Sequence, residues 1–227
     1  MGELQASGID FEFVQRKGMK NIRIAVLPPD GHVRVSAPIG AGPALARSFV
    51  SARAGWIREK QARFASLPQR EPRGFVSGEH CTIWDEDTLL EVAVGGSRGS
   101  ATLDGGKLLM EVPASWCSDR RRELFEGFLH GELEDRLEEA IPRAERKTGL
   151  RAESYSIRRM GTRWGSCTPE KGTIRIALRL AEYPPECLDM VLVHELGHLE
   201  YPDHGDGFKA HMDRCCPDWR RIRQELV

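Results

Sequence analysis

The chain has 227 residues, of which 40% are hydrophobic, and its 33 basic and 34 acidic side chains give a net charge of -1. This length suffices for one sizeable core or two small ones, so we expect the chain to fold without disulfide bonds. The balanced charge excludes a global field that would draw the protein onto nucleic acid or a membrane surface. Any charged partner must therefore be bound locally.

The sequence carries no targeting or membrane signal. No stretch approaches the roughly 18 consecutive apolar residues of a membrane span, and the first residues lack the basic and apolar segments of a secretory leader. We therefore expect a cytoplasmic protein without a membrane partner. The six cysteines are scattered, with no CxxC pair, and are interpreted as reduced structural thiols.

The first forty residues alternate between apolar and polar side chains as strands do. Ile22, Ile24 and Val26 share one parity. Val33 and Val35 share another, and the letters PPDG between the two runs are typical of a turn. The pattern predicts a β-hairpin.

Residues 43–66 are predicted to form one amphipathic helix, with Pro43 in its first turn. The apolar residues at helical spacing are Leu45, Phe49, Ala52, Trp56 and Ile57.

A second strand-rich run covers residues 75–113, where a DGG turn separates two short strands. Residues 118–149 then show helical spacing, and Pro142 is expected to kink or end that helix. Its apolar face comprises Leu124, Phe125, Phe128, Leu129, Leu133 and Leu137. No internal repeat is visible in the letters, so a relation between the two strand-rich runs cannot be read from them.

The run PPECLDMVLVHELGHLEY predicts a buried helix. It begins with Pro184 and Pro185, is apolar almost all round, and should end near Tyr201 because Pro202 disfavours helical geometry at the preceding residue.

Within this helix the letters HELGH place His194 and His198 one turn apart on one face. Two imidazoles at this spacing can both reach one zinc ion, and Glu195 can take a proton from a water bound to it. His204, beyond the turn at Pro202, is the favoured third ligand, which leaves a fourth position for water. The competing interpretation is a buried helix with hydrogen-bonded histidines, but burying such groups without partners is unfavourable.

Other residues downstream could replace His204 as the third ligand. The alternatives are Glu200, Asp203, Asp206, His211 and Asp213. Asp206 is more naturally the N-cap of the next helix, and His211 a histidine on that helix's surface. Phe208 is expected to pack this helix against the site. A last helix should start at Pro217, with Trp219 and Ile222 as its core residues.

Several of these motifs together resemble the YgjP-like metallopeptidase domain, a zincin family similar to the SprT and WLM families. The resemblance is carried by RWGSC at residues 163–167, the strand GTIRIALRL, the PPE helix start, HELGH and HGDGF. IRIAVLPPDGHVRVSAP and the GWI at 55–57 also look like that family's opening segment. The resemblance implies zinc held by His194, His198 and His204, with Glu195 as the catalytic base. It implies no particular substrate.

One better-known group of zincins fits less well. Metzincins have glycine three residues after the second histidine, where this chain has Tyr201, and no downstream Met-turn is identifiable. Membership of that group is therefore not expected.

The segment before the helix suggests where a substrate could bind. In TIRIALRL, Arg175, Ala177 and Arg179 share one parity, which predicts a strand with an arginine-bearing face. Together with Arg158, Arg159 and Arg163 these arginines form either a solvated sheet surface or a binding site for an anionic group. An edge strand here could also bind an extended peptide by β-addition.

Two more positions are substrate-binding candidates. Trp164 opens a predicted tight turn, residues 164–166, whose backbone donors could face the substrate. Tyr201 and Arg163 are candidates for stabilising the oxyanion.

The favoured function is a zinc-dependent hydrolase, specifically a metallopeptidase acting on peptides or proteins. The alternatives are a zinc-assisted nucleotide phosphohydrolase, suggested by the arginines, and a non-enzymatic binding module with a structural zinc. No strong nucleic-acid signal is present.

The expected fold is α+β. A strand-rich N-terminal region with one helix, residues 1–117, precedes a zincin-like domain, residues 118–227, whose active-site helix packs on a small antiparallel sheet. A further cut near residue 70 is also consistent with the sequence.

Overall fold

The computed structural model describes residues 2–27, 30–66 and 73–226. The chain divides into two compact units, Met1–Glu71 and Pro72–Val227. Both contain helices and strands, which confirms the predicted mixed α+β class. Among the described residues, no helix is long and apolar enough to cross a membrane.

The N-terminal unit contains a four-stranded sheet and two helices. Its elements are β1 (Gly2–Ala6), β2 (Ile9–Arg16), β3 (Arg23–Leu27), β4 (His32–Pro38), α1 (Pro43–Ser51) and α2 (Ala54–Ser66). The strand order is β1-β2-β4-β3, with a parallel central pair and antiparallel pairs on both sides. Val26 lies opposite Val33, which confirms the predicted hairpin. Pro28 and Pro29 of its turn lie outside the described residues.

The single helix predicted over residues 43–66 is wrong, because the chain turns at residues 52–53 between α1 and α2. The break shifts the helical phase, so residues at regular spacing along the sequence do not share one face. Leu45 is 52% exposed and Trp56 is 42% exposed. The residues of these helices that enter the core are Ala46, Val50 and Ile57.

The C-terminal unit begins with a second four-stranded sheet followed by a long helix. These elements are β5 (His80–Ile83), β6 (Glu86–Val94), β7 (Ser100–Asp104), β8 (Lys107–Val112) and α3 (Ser118–Thr148). The strand order is β5-β6-β8-β7, again with a parallel central pair between antiparallel pairs.

The two sheets therefore have the same topology, and each is followed by a helix. Their inward-facing residues correspond pair by pair: Val33 with Leu108, Val35 with Met110, and Ala37 with Val112. The sequence did not reveal this repeat because the two copies share alternation and turn position rather than residue identities.

The division between the units lies at residues 71/72, and not at residues 117/118 as expected from the sequence. The second sheet and α3 share one hydrophobic core, in which Leu108 and Met110 belong with Phe125 and Leu129. A boundary at residue 118 would cut through that core.

The helix α3 continues through Pro142 to Thr148, so the proline does not end it. The backbone then turns at Gly149, whose φ of 72° is a conformation that favours glycine. Leu133 and Leu137 are among the predicted apolar residues that the structure buries.

The rest of the C-terminal unit surrounds the HELGH segment. Its elements are β9 (Ser154–Arg158), β10 (Gly165–Thr168), β11 (Thr173–Ala177), α4 (Pro185–Gly197), α5 (Asp206–Cys215) and α6 (Trp219–Glu225). The sheet order is β10-β11-β9, so β10 is an edge strand. The prediction of an antiparallel sheet is wrong in part, because β11 pairs with β9 in parallel.

The helix α4 lies at the centre of this arrangement, in contact with α3, α5, α6, β10 and β11. Most of its residues are buried, as the apolar sequence predicted. All six cysteines are free thiols.

Packing of α3 against the C-terminal core should dominate the stability of this unit. We expect Leu133→Ala, at a fully buried position, to lower the free energy of unfolding by about 2–5 kcal/mol. Leu109→Ala, at a position 38% exposed on β8, should lower it by about 1 kcal/mol or less. Urea unfolding followed by tryptophan fluorescence measures both, and equal losses would contradict this packing.

Candidate functional site

Three histidine rings converge at the end of α4. His194 lies in the last turn, His198 is the C-cap residue, and His204 lies in the loop before α5. Nε2 of His194 and Nε2 of His204 are 3.1 Å apart. One ring nitrogen from each histidine lies within 4.8 Å of the others. The structure thus brings the three predicted ligands together.

A backbone contact orients the ring of His198. Its Nδ1 lies 3.0 Å from the carbonyl oxygen of Tyr201. Because a carbonyl can only accept, Nδ1 carries the hydrogen and donates it, which leaves a lone pair on Nε2. Metal-binding histidines are commonly oriented by such a bond on their second nitrogen.

The ring of Phe208 forms one wall of the histidine cluster, as the sequence predicted. It is buried, and its centroid lies 4.8 Å from the ring centroids of His194, His198 and His204 alike. The first turn of α5 is therefore fixed against the end of α4.

The surroundings keep His194 and His204 in the neutral form that binds metals. Burial lowers the pKa of His194 to about 3, and His198, His204 and Arg223 act in the same direction. Burial also lowers the pKa of His204, again assisted by His198 and Arg223. The two rings therefore hold unprotonated nitrogens at neutral pH.

This donor set fits a zinc ion. Tetrahedral zinc with Zn–N bonds of about 2.0–2.1 Å places two ligand nitrogens about 3.3 Å apart. The 3.1 Å between Nε2 of His194 and Nε2 of His204 is close to that value. Neutral imidazoles that meet at their nitrogens, without a carboxylate between them, are a common donor set of open zinc sites.

In the sequence Glu195 lies between His194 and His198. Its side chain is almost completely buried. Burial raises the pKa of its carboxyl to about 7, while the charge of Arg163 and a hydrogen bond from the backbone N–H of Cys167 act in the opposite direction. A carboxyl that titrates near neutral pH is suited to accept and return a proton.

The predicted substrate-binding residues separate into two groups. Arg163 is exposed and lies near enough to Glu195 to affect its pKa. Tyr201 is half-buried next to the site, where its carbonyl holds His198 and its ring packs 5.6 Å from the ring of His211.

The remaining candidates take part in contacts of the sheet region. The guanidinium of Arg179 lies 3.5 Å from the ring centroid of Trp164, whose ring also packs edge-on against Tyr183. Arg175 donates a hydrogen bond of 3.1 Å to Thr168.

The predicted arginine-bearing strand face is wrong. The strand β11 ends at Ala177, which is fully buried, and a 3-10 helix follows at Leu178–Glu182. Arg175 and Arg179 are therefore not neighbours on one strand, because the chain changes conformation between them.

Two predictions on neighbouring segments also need correction. The tight turn expected at residues 164–166 is absent, because Gly165 begins β10. Gly205, and not Asp206, is the N-cap residue of α5, and no side chain caps that helix.

His211 is not a surface histidine as predicted, since only 1% of it is exposed. Its ring lies against Gly197, where an added Cβ would be 3.1 Å from the ring. Nδ1 accepts a hydrogen bond of 3.4 Å from Arg214, and burial lowers the pKa of the ring. His211 thus packs against the end of α4 at Gly197.

Two residues that act on the site were not predicted from the sequence. Gly165 lies against the side chain of Glu195, and a glycine at the start of a strand is the one signal that could have indicated such close approach. Arg223 on α6 lowers the pKa of His194 and of His204, and no local pattern indicated it.

Comparison with known proteins identifies one family. A family model described as "YgjP-like, metallopeptidase domain" matches residues 20–227. No curated protein matches the chain at a significant level.

Two solved structures are similar to part of the chain. The metallopeptidase zymogen abylysin of Pyrococcus abyssi is 20% identical, with a TM-score of 0.37, over 40% of this chain and 90% of that one. The metallopeptidase zymogen jannalysin of Methanocaldococcus jannaschii is 19% identical, with a TM-score of 0.34, over 40% of this chain and 97% of that one.

The lowered pKa of His194 predicts how the stability of the metal-free protein depends on pH. Between pH 6.5 and about 3 the unfolded chain binds a proton that the folded chain does not, so stability should fall as the pH falls through this range. His194→Gln should lose less stability over the same range in urea unfolding of metal-free samples.

The raised pKa of Glu195 has the opposite effect on stability. Between about pH 7 and 4.5 the folded chain binds a proton that the unfolded chain does not. Its contribution is present in both proteins, so the comparison isolates His194. Parallel pH curves for the two proteins would contradict the assigned burial of His194.

Proposed function

Because the chain belongs to the YgjP-like metallopeptidase family, we propose that it is a zinc-dependent peptidase whose metal is held by His194, His198 and His204. The observation that carries this proposal is the convergence of three histidine nitrogens at the end of α4, where the residue after His194 is the buried Glu195. It supports a zinc site with a proton acceptor next to it.

The proposed reaction is hydrolysis of a peptide bond. Zinc, when bound, makes a water molecule more acidic and polarises the carbonyl of the scissile bond. Glu195 accepts the proton of the attacking water and returns it to the leaving amine. A carboxyl with a pKa near 7 can perform both transfers at neutral pH.

The chain's own residues also suggest how a peptide could be bound. The strand β10 is an edge of its sheet and begins next to Glu195, so an extended peptide could add to it as a further strand. Arg163 is our first candidate for binding the developing oxyanion, because it is exposed and acts on Glu195. Tyr201 is the second candidate.

Neither alternative function gains support from the site. A nucleotide phosphohydrolase was suggested by an arginine-bearing strand face, and that face does not form. A structural zinc site is usually closed by four protein ligands. Among the described residues, the histidine cluster contains three.

Glu195→Gln should separate proton transfer from metal binding. We expect the variant to retain one zinc per chain and to lose about 10²–10⁴-fold in kcat, because the amide cannot accept the proton. Zinc is measured by mass spectrometry under native conditions, and turnover with a library of quenched fluorescent peptides. Unchanged turnover in the variant would remove Glu195 from the mechanism.

The third ligand is tested by His204→Ala. We expect zinc affinity to fall by at least about tenfold, because two histidines alone hold zinc weakly. The matched control is His130→Ala, since His130 is half-buried on α3 and pairs with Glu134 instead. Equal zinc affinity in both variants would show that His204 does not bind the metal.

A further inference from the structure

The strand β10 makes an unusually close approach to Glu195. Gly165 is buried at the start of β10, and a Cβ added there would lie 2.7 Å from both Cγ and Oε1 of Glu195. Gly165 is not among the residues with positive φ, so its backbone conformation is open to any amino acid. Space for the Glu195 side chain is therefore the reason for a glycine at this position.

The same strand approaches the carboxylate at a second residue. The backbone N–H of Cys167 lies close to the Glu195 carboxyl. Gly165 and Cys167 are fixed by their partners in β11, because they lie opposite the fully buried residues Ile176 and Ile174. One stretch of main chain thus limits the space available to the carboxylate.

We propose that the backbone of β10 positions the Glu195 carboxylate for proton transfer, and that Gly165 is the positioning residue that makes this possible. The proposal rests on the function proposed above. The atoms that a methyl group at residue 165 would strike belong to the flexible end of the Glu195 side chain. Substitution should therefore displace the carboxylate and leave the fold intact.

The kinetic test is Gly165→Ala in the zinc-loaded protein. We expect kcat to fall about a hundredfold, because a displacement near 1 Å at a reacting group has effects of this size. KM and zinc content should stay as in the wild type. The matched control is Gly161→Ala, in the same segment but with no atom within 4 Å of the added Cβ, which should change kcat by less than about twofold.

A second test needs neither metal nor activity. Melting temperatures of metal-free protein are compared for Gly165→Ala in the wild type and in a Glu195→Ala background. With Glu195 shortened, the methyl group at residue 165 finds space, so the loss of melting temperature seen in the wild type should largely disappear. The effect of alanine on the unfolded chain is the same in both backgrounds and cancels.

The two tests have distinct outcomes. An equal loss of melting temperature in both backgrounds, or wild-type kcat in Gly165→Ala, would overturn the positioning role. A zinc-loaded wild type that cleaves none of the peptides would instead overturn the proposed function. A loss of melting temperature that occurs only when Glu195 is present would still establish the contact between Gly165 and Glu195.

Discussion

The burial of α4 is the constraint on which the rest of the C-terminal unit depends. The helix is enclosed by α3, α5, α6 and two strands, so its apolar residues are shielded from water on nearly all sides. Glu186 and Asp189 on this helix pair with Arg221 and Arg143. The other acidic or basic side chains lie where the helix ends, and these are His194, Glu195 and the C-cap residue His198. Apolar enclosure and the chemistry of the site are thus parts of one arrangement, because it is burial that shifts the pKa of His194 and of Glu195.

Enclosure also explains why residues far apart in the sequence meet at the site. Phe208 and His211 are one turn apart on α5, yet Phe208 faces the three histidines and His211 lies behind Gly197. The end of α4 is therefore held from two directions by one short helix. The ring positions of the candidate ligands follow from this packing as much as from their spacing along α4.

The sequence predicted those features that depend on local spacing and failed where distant contacts decide. The histidine pair and the buried helix follow from periodicity, which is a property of a few neighbouring residues. The end of the helix was placed too late, because α4 ends at Gly197 and not near Tyr201. The break between α1 and α2 carries no proline or glycine at residues 52–53, so nothing local marked it.

The remaining errors have the same cause. The parallel pairing of β11 with β9 joins segments separated by β10, and strand letters do not specify a partner's direction. The burial of His211 and the approach of Gly165 to Glu195 arise from contacts between elements, which a single-sequence pattern does not contain. The repeated sheet was likewise invisible because topology was kept while residues changed.

Main-chain contact between β10 and Glu195 has a consequence for how the protein can diversify. Peptide groups are the same whatever the side chains, so residues of the strand that point away from Glu195 can change without altering what the carboxylate meets. Gly165 and Cys167 are not among them, because a Cβ at residue 165 would strike Glu195, and burial and the charge of Glu195 raise the pKa of the Cys167 thiol. Ser166 and Thr168 have the opposite parity to Gly165 and Cys167. Thr168 accepts a hydrogen bond from Arg175, whereas residue 166 is free to vary with the ligands that the edge encounters. Recognition at residue 166 can therefore evolve separately from proton transfer.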